Sequence, residues 1–465
     1  WSKYAKRKES MITRLSKYLA LVVLGAVLLG AVYSVPASAE EVVLNVWSRQ
    51  DVSGPLRAGN LITAASRLNK ALKKEGSETH VTVLVRQGPA SGFDDDALQL
   101  LKVFGIGKGP DVFVAAHEWT CAFANDGFAL NLEKYIPKYP EHFDDIIPNL
   151  WNSTKCGGQR FAVPQDADAR MFFYNKKLMR EAGFNSAFIE NLPKRVLAGE
   201  VTLDDISDVA KQVVDKSQAE YGILHRPSKG PDYLMIFNSY GSSFQDEKTG
   251  NLLLERDKLE GAYGWFMRNV KNGVTPANNT AMEWGTIRKK FYADNKVAFW
   301  MYGIWDLGTN AFPSFGVPSD EMAFNNDWGW TATPPVMKGG KPGSLTHPIV
   351  YVVSGNTKHP DLAVRLVGFA SAADLNTNHA VTTTHIGINR SQANDPRYQK
   401  AWPLLRATEL LPFTKFMPNH PDFGPLNLII YKGLQGVEQN RLTHAEAAAF
   451  VIDEAQGQLE NVIVK

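Results

Sequence analysis

Apolar and polar residues alternate over 41–47 (EVVLNVW), the period of a half-buried strand. Over 55–71 the period lengthens, with Leu56, Leu61, Ile62, Ala65, Leu68 and Leu72 near helical spacing. Residues 80–85 (HVTVLV) return to strand character. Asp94, Asp95 and Asp96 then open a helix that runs through Leu101 and Phe104, since acids suit the positive end of the helix dipole. Residues 111–115 (DVFVA) give a third strand. A β-α-β-α-β order predicts an α/β fold with a parallel sheet and helices on its faces.

Further along, residues 257–272 set Leu259, Ala262, Tyr263, Phe266, Met267 and Val270 on one helical stripe, and Gly273 stops it. Residues 296–301 (KVAFWM) read as a strand ending at Gly303. Thr443 and Glu446 form a capping box ahead of a final helix expected to end near Val464. There is no internal repeat, heptad array or Pro/Gly-rich linker, so the expected lobes are joined by strands that cross between them.

The longest apolar run lies earlier. Arg14 and Lys17 follow Met11, an apolar stretch fills 19–35, and Ala37, Ser38 and Ala39 precede Glu40. A basic segment, an apolar core and a small-x-small site make the pattern of a cleaved export leader. The alternative is a retained membrane anchor, but the run is short for a span of about 20 residues. No cysteine lies near the cleavage point to carry a lipid. Residues 1–10 read as upstream mis-start residues. The mature chain, about 426 residues from Glu40, would work outside the cytoplasm and suits two lobes rather than one core.

Composition changes this picture in two places. The net charge of +2 includes six bases and one acid in residues 1–39; the remaining 44 bases and 47 acids leave about −3. A slightly acidic chain carries no electrostatic footprint for nucleic acid. The two cysteines, Cys121 and Cys156, could form one disulfide in an oxidising compartment, a pairing the sequence leaves open.

Several stretches carry candidate chemistry. Residues 105–109 (GIGKG) invite a phosphate-loop reading, but they lack the following Ser/Thr and precede a strand instead of following one, so they read as a plain loop. Asp166, Asp168 and Arg170 alternate in an extended segment and so share a face. They suit charge-assisted bonds to sugar hydroxyls, a salt-bridged crossing strand, or a glycosidase pair. His117, Glu118 and Trp119 follow a strand, where open α/β sheets bind ligands. Trp119 would either stack on a sugar ring or be buried at a helix start. No HExxH motif or Cys/His cluster is present, so His117 is not expected to bind metal, and no metal or cofactor is expected. Gly303 would let backbone approach a ligand closely and Trp305 would supply an aromatic platform. No GxSxG elbow supports Ser-His-Asp catalysis, and Ser242 has no evident base.

In this order the pieces resemble the extracellular solute-binding proteins of ABC importers, the branch that includes maltose-binding protein. The resemblance is carried by Leu44 to Ser48, by Gly109, Pro110 and Asp111, and by Asp126, Gly127 and Leu130. Its most specific part is residues 161–164 (FAVP), then 173–178 (FYNKKL), then Glu181, Ala182 and Gly183. Residues 296–305 and His359, Pro360 and Asp361 continue it, so it spans 41–465. It implies a two-lobed binding-protein fold with a cleft between lobes joined by crossing strands. One lobe would be 40–166 plus 333–370, the other 167–332 plus 371–465. It also implies a periplasmic, non-catalytic monomer that captures a mono- or oligosaccharide and delivers it to membrane permease subunits. By position the cleft would draw on Arg49, Gln50, Asp51, His117, Glu118, Trp119, Asp166, Asp168, Arg170, Tyr240 and Trp305. Ser344 and His347 lie at an edge that lacks the family's paired glycines. Arg49 with Arg170 could favour an acidic sugar. Alternatively Asp51 and Asp166 neutralise them and the sugar is neutral. The rival class is an exported glycosidase using two of Asp166, Asp168 and Glu118. A metal binder would need a Tyr/His/carboxylate cluster that the sequence does not assemble.

Overall fold

The computed structural model describes residues 40–50, 53–89, 93–246 and 248–465. The expected leader and Asp51 lie outside them, and of Gln50 only the backbone is described. The first half contributes β1 (Glu41–Gln50), α1 (Gly54–Lys74), β2 (His80–Pro89), α2 (Phe93–Gly105), β3 (Val112–Ala116), β4 (Val163–Pro164), β5 (Arg170–Asn175) and β6 (Tyr221–Leu224). The second contributes α3 (Arg256–Lys271), β7 (Val297–Gly303), β8 (Trp328–Thr331), β9 (Ser344–Thr346), β10 (Ile349–Val353) and α4 (Ala373–Thr383). It ends with β11 (Thr414–Phe416), α5 (Phe423–Glu438) and α6 (His444–Gln458).

Two sheets carry the architecture. The first has the order β2-β1-β3-β10-β4, with β1 and β3 parallel and Val46 opposite Val112. The sheet is not wholly parallel as expected: β10 runs antiparallel to β3, with Tyr351 opposite Val114, because the chain re-enters this sheet from the far side through β9. The second sheet has the order β8-β5-β7-β6. Its central β7 (VAFWMYG) is buried along its whole length, which is why the sequence shows a continuous apolar run there instead of alternation. Phe172, Phe173 and Met301, all fully buried, each stabilise this core by roughly 1.5–3 kcal/mol.

Residues 43–68 and 83–465 form one compact unit, which holds every described residue of the candidate site. The other unit, among the described residues, is 40–42 with 69–82; within it the Asn69 side chain accepts from the Val81 N–H (2.8 Å) and donates to its carbonyl (2.9 Å).

The helical stripe of α3 is buried at Leu259, Ala262, Tyr263 and Phe266, and Gly273 ends the segment at φ +70°. Tyr263 donates its hydroxyl to the Ile430 carbonyl (2.8 Å) of α5, and Gly433 is required there: a Cβ would lie 2.6 Å from that hydroxyl oxygen. The Thr443 capping box is formed as expected. The last helix is shorter than expected. It stops at Gln458, Asn461 adopts φ +54°, and Ile463–Val464 pairs as a strand with Leu253–Leu254. Cys121 and Cys156 are joined in a disulfide with Cα atoms 5.1 Å apart. Residues 373–389, expected with the second lobe, contact both sides: His385 stacks beside Trp305 and Thr384 packs at Gly308, while other residues face the first sheet. Arg67 pairs with Asp374 (2.6 Å), Asn376 donates to the Gln165 carbonyl (2.6 Å), and Ile146 bridges Asn389. Among the described residues no helix is long and apolar enough to cross a membrane.

Candidate functional site

Parallel strands send their carboxyl ends to one region from both sheets. Arg49 lies near the end of β1, and His117, Glu118 and Trp119 form a single 3₁₀ turn after β3. In the second sheet Arg226 follows β6 and Trp305 follows β7, and these two strands are parallel. Open α/β sheets place ligands at such strand ends.

Two chain segments cross between the sheets and fix the frame of the site. Asp168 Oδ1 accepts the His347 N–H (2.8 Å), and Asp166 Oδ1 accepts the Ile349 N–H (3.1 Å). The two carboxylates therefore share a face, as their spacing predicts. Ser344 donates its hydroxyl to the Arg170 carbonyl (2.6 Å), and the Asp168 N–H donates to Thr346 Oγ1 (3.3 Å). Arg57, fully enclosed, donates to Asp166 Oδ2 and to Gln165 Oε1, each at 2.7 Å, and His379 Nε2 meets Asp166 Oδ2 at 2.9 Å. Arg170 divides its donors between Asp168 (2.6 Å) and Asp232 (2.8 Å), and Arg226 takes the other oxygen of Asp232 (2.6 Å).

Aromatic rings line this frame. The Arg170 guanidinium lies 4.7 Å from the Trp305 ring centre, Trp305 contacts Tyr302 (5.1 Å), and Tyr302 contacts Trp284 (5.1 Å). Arg226 and Arg288 lie 5.2 and 5.3 Å from the Trp284 ring. His385 stacks beside Trp305 at 6.1 Å. Trp284, Trp305 and His385 are half-buried. On the other side, Phe93 meets His347 edge-on (5.1 Å), His347 meets His117 (5.4 Å), and His117 meets Phe416 (6.0 Å). Phe93 and Phe416 are also half-buried. Gly303 serves the protein's own ring rather than a ligand: a Cβ there would lie 1.6 Å from the Trp305 ring.

Burial governs the ionisation of the frame. It acts upward on Asp166, but the charges of Arg57, His385 and His379 outweigh it and hold that carboxyl well below its ordinary range. Burial pushes Asp168 up to about 7 against the pull of Arg170. Burial also lowers His117 to about 4, lowers His347 and raises Glu118. A split carboxylate pair is what acid–base catalysis uses. Here, however, both carboxylates are buried (1% and 4% exposed) and occupied by backbone N–H groups and arginines.

The structure thus gathers Glu118, His117, Asp168, Arg170, Ser344, His347 and Trp305 into one connected region, with Asp166 behind it. Arg49 is neutralised by Asp96 (2.8 Å) and lies 3.8 Å from the Phe93 ring centre; the expected partner Asp51 is not described. Trp119 is buried, with 7% exposure. Tyr240 stands apart: it caps the helix Leu234–Ser239 and packs on Gly261 of α3, where a Cβ would lie 2.5 Å from its ring. Sequence reasoning missed Arg226, Asp232 and Trp284. The rule that singled out His117 after β3 would have found Arg226 after β6; Trp284 carried no such signal. It also missed two His/carboxylate groups, His117 with Glu118 and His347, and Asp166 with His379 and His385, whose donor atoms lie within 4.8 Å of one another. Each joins residues far apart in the chain.

The bacterial extracellular solute-binding proteins match this sequence over residues 59–376, more than half of the chain. The chain belongs to that family. Among relatives of this solute-binding protein, the maltotriose-binding protein of Pyrococcus abyssi is 22% identical over 370 residues, 77% of this chain and 71% of the relative. The galactooligosaccharide-binding protein of Bacillus subtilis is 22% identical over 366 residues, 76% and 78% of the two chains. In structure it is similar to the GacH receptor of Streptomyces glaucescens, with a TM-score of 0.68, 19% identity, and coverage of 91% of this chain and 99% of that one. It is also similar to the sugar-binding protein MalE of Xanthomonas citri, with a TM-score of 0.69, 17% identity and coverage of 90% and 97%. The fold is the two-lobed binding-protein fold expected from the sequence. The family is one of extracellular binding proteins of ABC importers, not enzymes, and the exported-glycosidase reading falls.

Proposed function

We propose that this solute-binding protein captures a neutral oligosaccharide between its lobes and delivers it to the permease of an ABC importer. The observation that carries the reading is Trp305: a half-buried indole held by Gly303 and backed by Arg170, which pairs with Asp168 and Asp232. Sugar rings present apolar C–H faces that pack on such rings. Their hydroxyls take bonds from polar groups at the rim. The other cations here are paired too: Arg57 with Asp166, Arg49 with Asp96 and Arg288 with Asp306, while Arg226 shares Asp232 with Arg170. This pairing argues against an acidic sugar.

In this reading the first lobe is 40–166 plus 333–370, and strands β1 to β4 and β10 all fall inside it. The second includes β5 to β8. Closure about the crossing segments 165–170 and 344–349 would hold the ligand, and ligand contacts with both lobes would favour the closed state. The protein would be exported through the leader ending near Ala39, work in the periplasm as a monomer, and require no cofactor.

The test is a thermal-shift screen with maltotriose, galactooligosaccharides and other neutral oligosaccharides against sugar acids and sugar phosphates, with recovered ligand checked by mass. A ligand bound only by the folded state raises the Tm. We expect a rise with a neutral oligosaccharide recovered intact. A rise confined to acidic sugars would overturn the neutral assignment, and no rise across the panel would overturn the carbohydrate reading.

A further inference from the structure

We propose that His117, Glu118 and His347 form a binding site for a divalent transition-metal ion of the zinc class, at the carboxyl end of β3. Two imidazoles and a carboxylate are a ligand set that zinc takes, with a fourth position left open. All three residues are buried, with 0, 7 and 5% exposure. His117 Nε2 lies 3.2 Å from the Met417 carbonyl oxygen. A carbonyl only accepts, so Nε2 carries the hydrogen and Nδ1 carries a lone pair. Among the described residues that Nδ1 is buried without a hydrogen-bond partner, and it lies 3.5 Å from Glu118 Oε2. His347 Nε2 reaches the same oxygen at 2.9 Å and Oε1 at 3.0 Å.

Tetrahedral zinc with bonds of about 2.0–2.2 Å separates its ligand atoms by roughly 3.3 Å. The two measured separations, 2.9 and 3.5 Å, bracket that value, and all three donor atoms lie within 4.8 Å of one another. The surrounding contacts also suit a metal. A metal-bound imidazole is usually oriented by a bond from its other ring nitrogen to a carbonyl or carboxylate; Met417 does this for His117. The His347 backbone is fixed by Asp168, and Phe93 and Phe416 close the flanks. The nearby cation Arg170 is paired with Asp168 and with Asp232, which it shares with Arg226. On binding, the ion replaces the hydrogen between His347 Nε2 and Glu118, and that hydrogen moves to His347 Nδ1. No net proton is released, and Glu118 reduces the site's charge from +2 to +1. The second group, Asp166 with His379 and His385, is a poorer host because the Arg57 guanidinium already occupies Asp166 at 2.7 Å.

The experiment strips the protein with a chelator and titrates it with Zn²⁺ by calorimetry and with Co²⁺ by visible absorption. Expected are one equivalent of Zn²⁺ and a Co²⁺ spectrum of tetrahedral type. His117→Gln and His347→Gln each weaken binding by roughly 100-fold or more, whereas His385→Gln leaves it unchanged. Circular dichroism checks that each variant is folded; should one not fold, Glu118→Gln and the wild-type Co²⁺ spectrum carry the test. Uptake well below one equivalent, affinity unchanged in the folded His variants, or loss only in His385→Gln would overturn the site.

Discussion

Arg57 and Arg170 are both buried and both ion-paired, yet they serve different ends. Arg57 is enclosed on every side; its guanidinium ties Asp166 and Gln165 at the point where the crossing segments meet. Arg170 is equally buried but lies behind the half-buried ring of Trp305. One region is a frame, and the other is a platform that the frame supports. A buried ion pair does not reveal function by itself; what lies on its open side does.

The largest expected effect breaks the frame. Arg57→Met leaves Asp166 as a buried carboxylate facing His379, His385 and the Ile349 N–H, with no guanidinium. Removing one partner of a buried pair costs about 3–5 kcal/mol, read as a lower midpoint in denaturant unfolding. A loss under about 1 kcal/mol would show that Arg57 is no part of the frame.

The platform answers differently. Trp305→Ala removes an exposed apolar face worth roughly 1.5–3 kcal/mol to a stacked ring, about 10- to 100-fold in Kd. The midpoint of unfolding should move little. Gly303→Ala tests the same ring indirectly, because the added methyl would displace the indole; affinity should fall, by less than in Trp305→Ala. If both substitutions lower stability and leave sugar affinity intact, platform and frame are not separate.

The frame was the harder of the two regions to read in the sequence. Strand ends announced His117 and Trp305, and the alternation of Asp166, Asp168 and Arg170 announced a shared face. Local periodicity cannot say who sits opposite. Arg57 lies inside a helix 109 residues from Asp166, and His379 lies 213 residues beyond it. Asp96 was legible only as a helix-start acid, yet it neutralises Arg49. The sheets were legible because buried strands and amphipathic helices impose their own period. The antiparallel return of β10 was not, since strand direction depends on where the chain crosses. At the C-terminus the extended backbone of Leu459 (φ −118°, ψ 151°) ends the helix before the apolar pattern ends.

Within the frame, two carboxylates two residues apart titrate in opposite directions. Asp166 lies below an unfolded aspartate, whose pKa is about 3.9. Its ionised form contributes stability that is present above that value and is lost as pH falls toward the folded pKa. Asp168 lies above it, at about 7. The folded state therefore holds an extra proton between about 4 and 7, and stability falls as pH rises through that window. Asp168→Asn should flatten the fall between pH 4 and 7, whereas Asp166→Asn should flatten the loss below pH 4. Unfolding midpoints measured against pH check both slopes; equal effects of the two substitutions in one window would contradict the opposite assignment.

The smallest expected effect is a near absence of one. Arg49, Arg170, Arg226 and Arg288 all face acids, so an uncharged sugar on the platform meets little net field. The screening length shrinks from about 10 Å at 0.1 M salt to about 3 Å at 1 M. Attraction to an anionic ligand would weaken strongly across that range. For a neutral oligosaccharide such as maltotriose, if it is the ligand the screen identifies, the Kd should change by less than about twofold, since the ring contact and hydroxyl bonds at Trp305 act at short range. Calorimetry at the two salt concentrations measures this directly. A tenfold weakening would mean that one of these arginines gives its charge to the ligand instead of to its acid, and the platform would then have to be redrawn as an anion site.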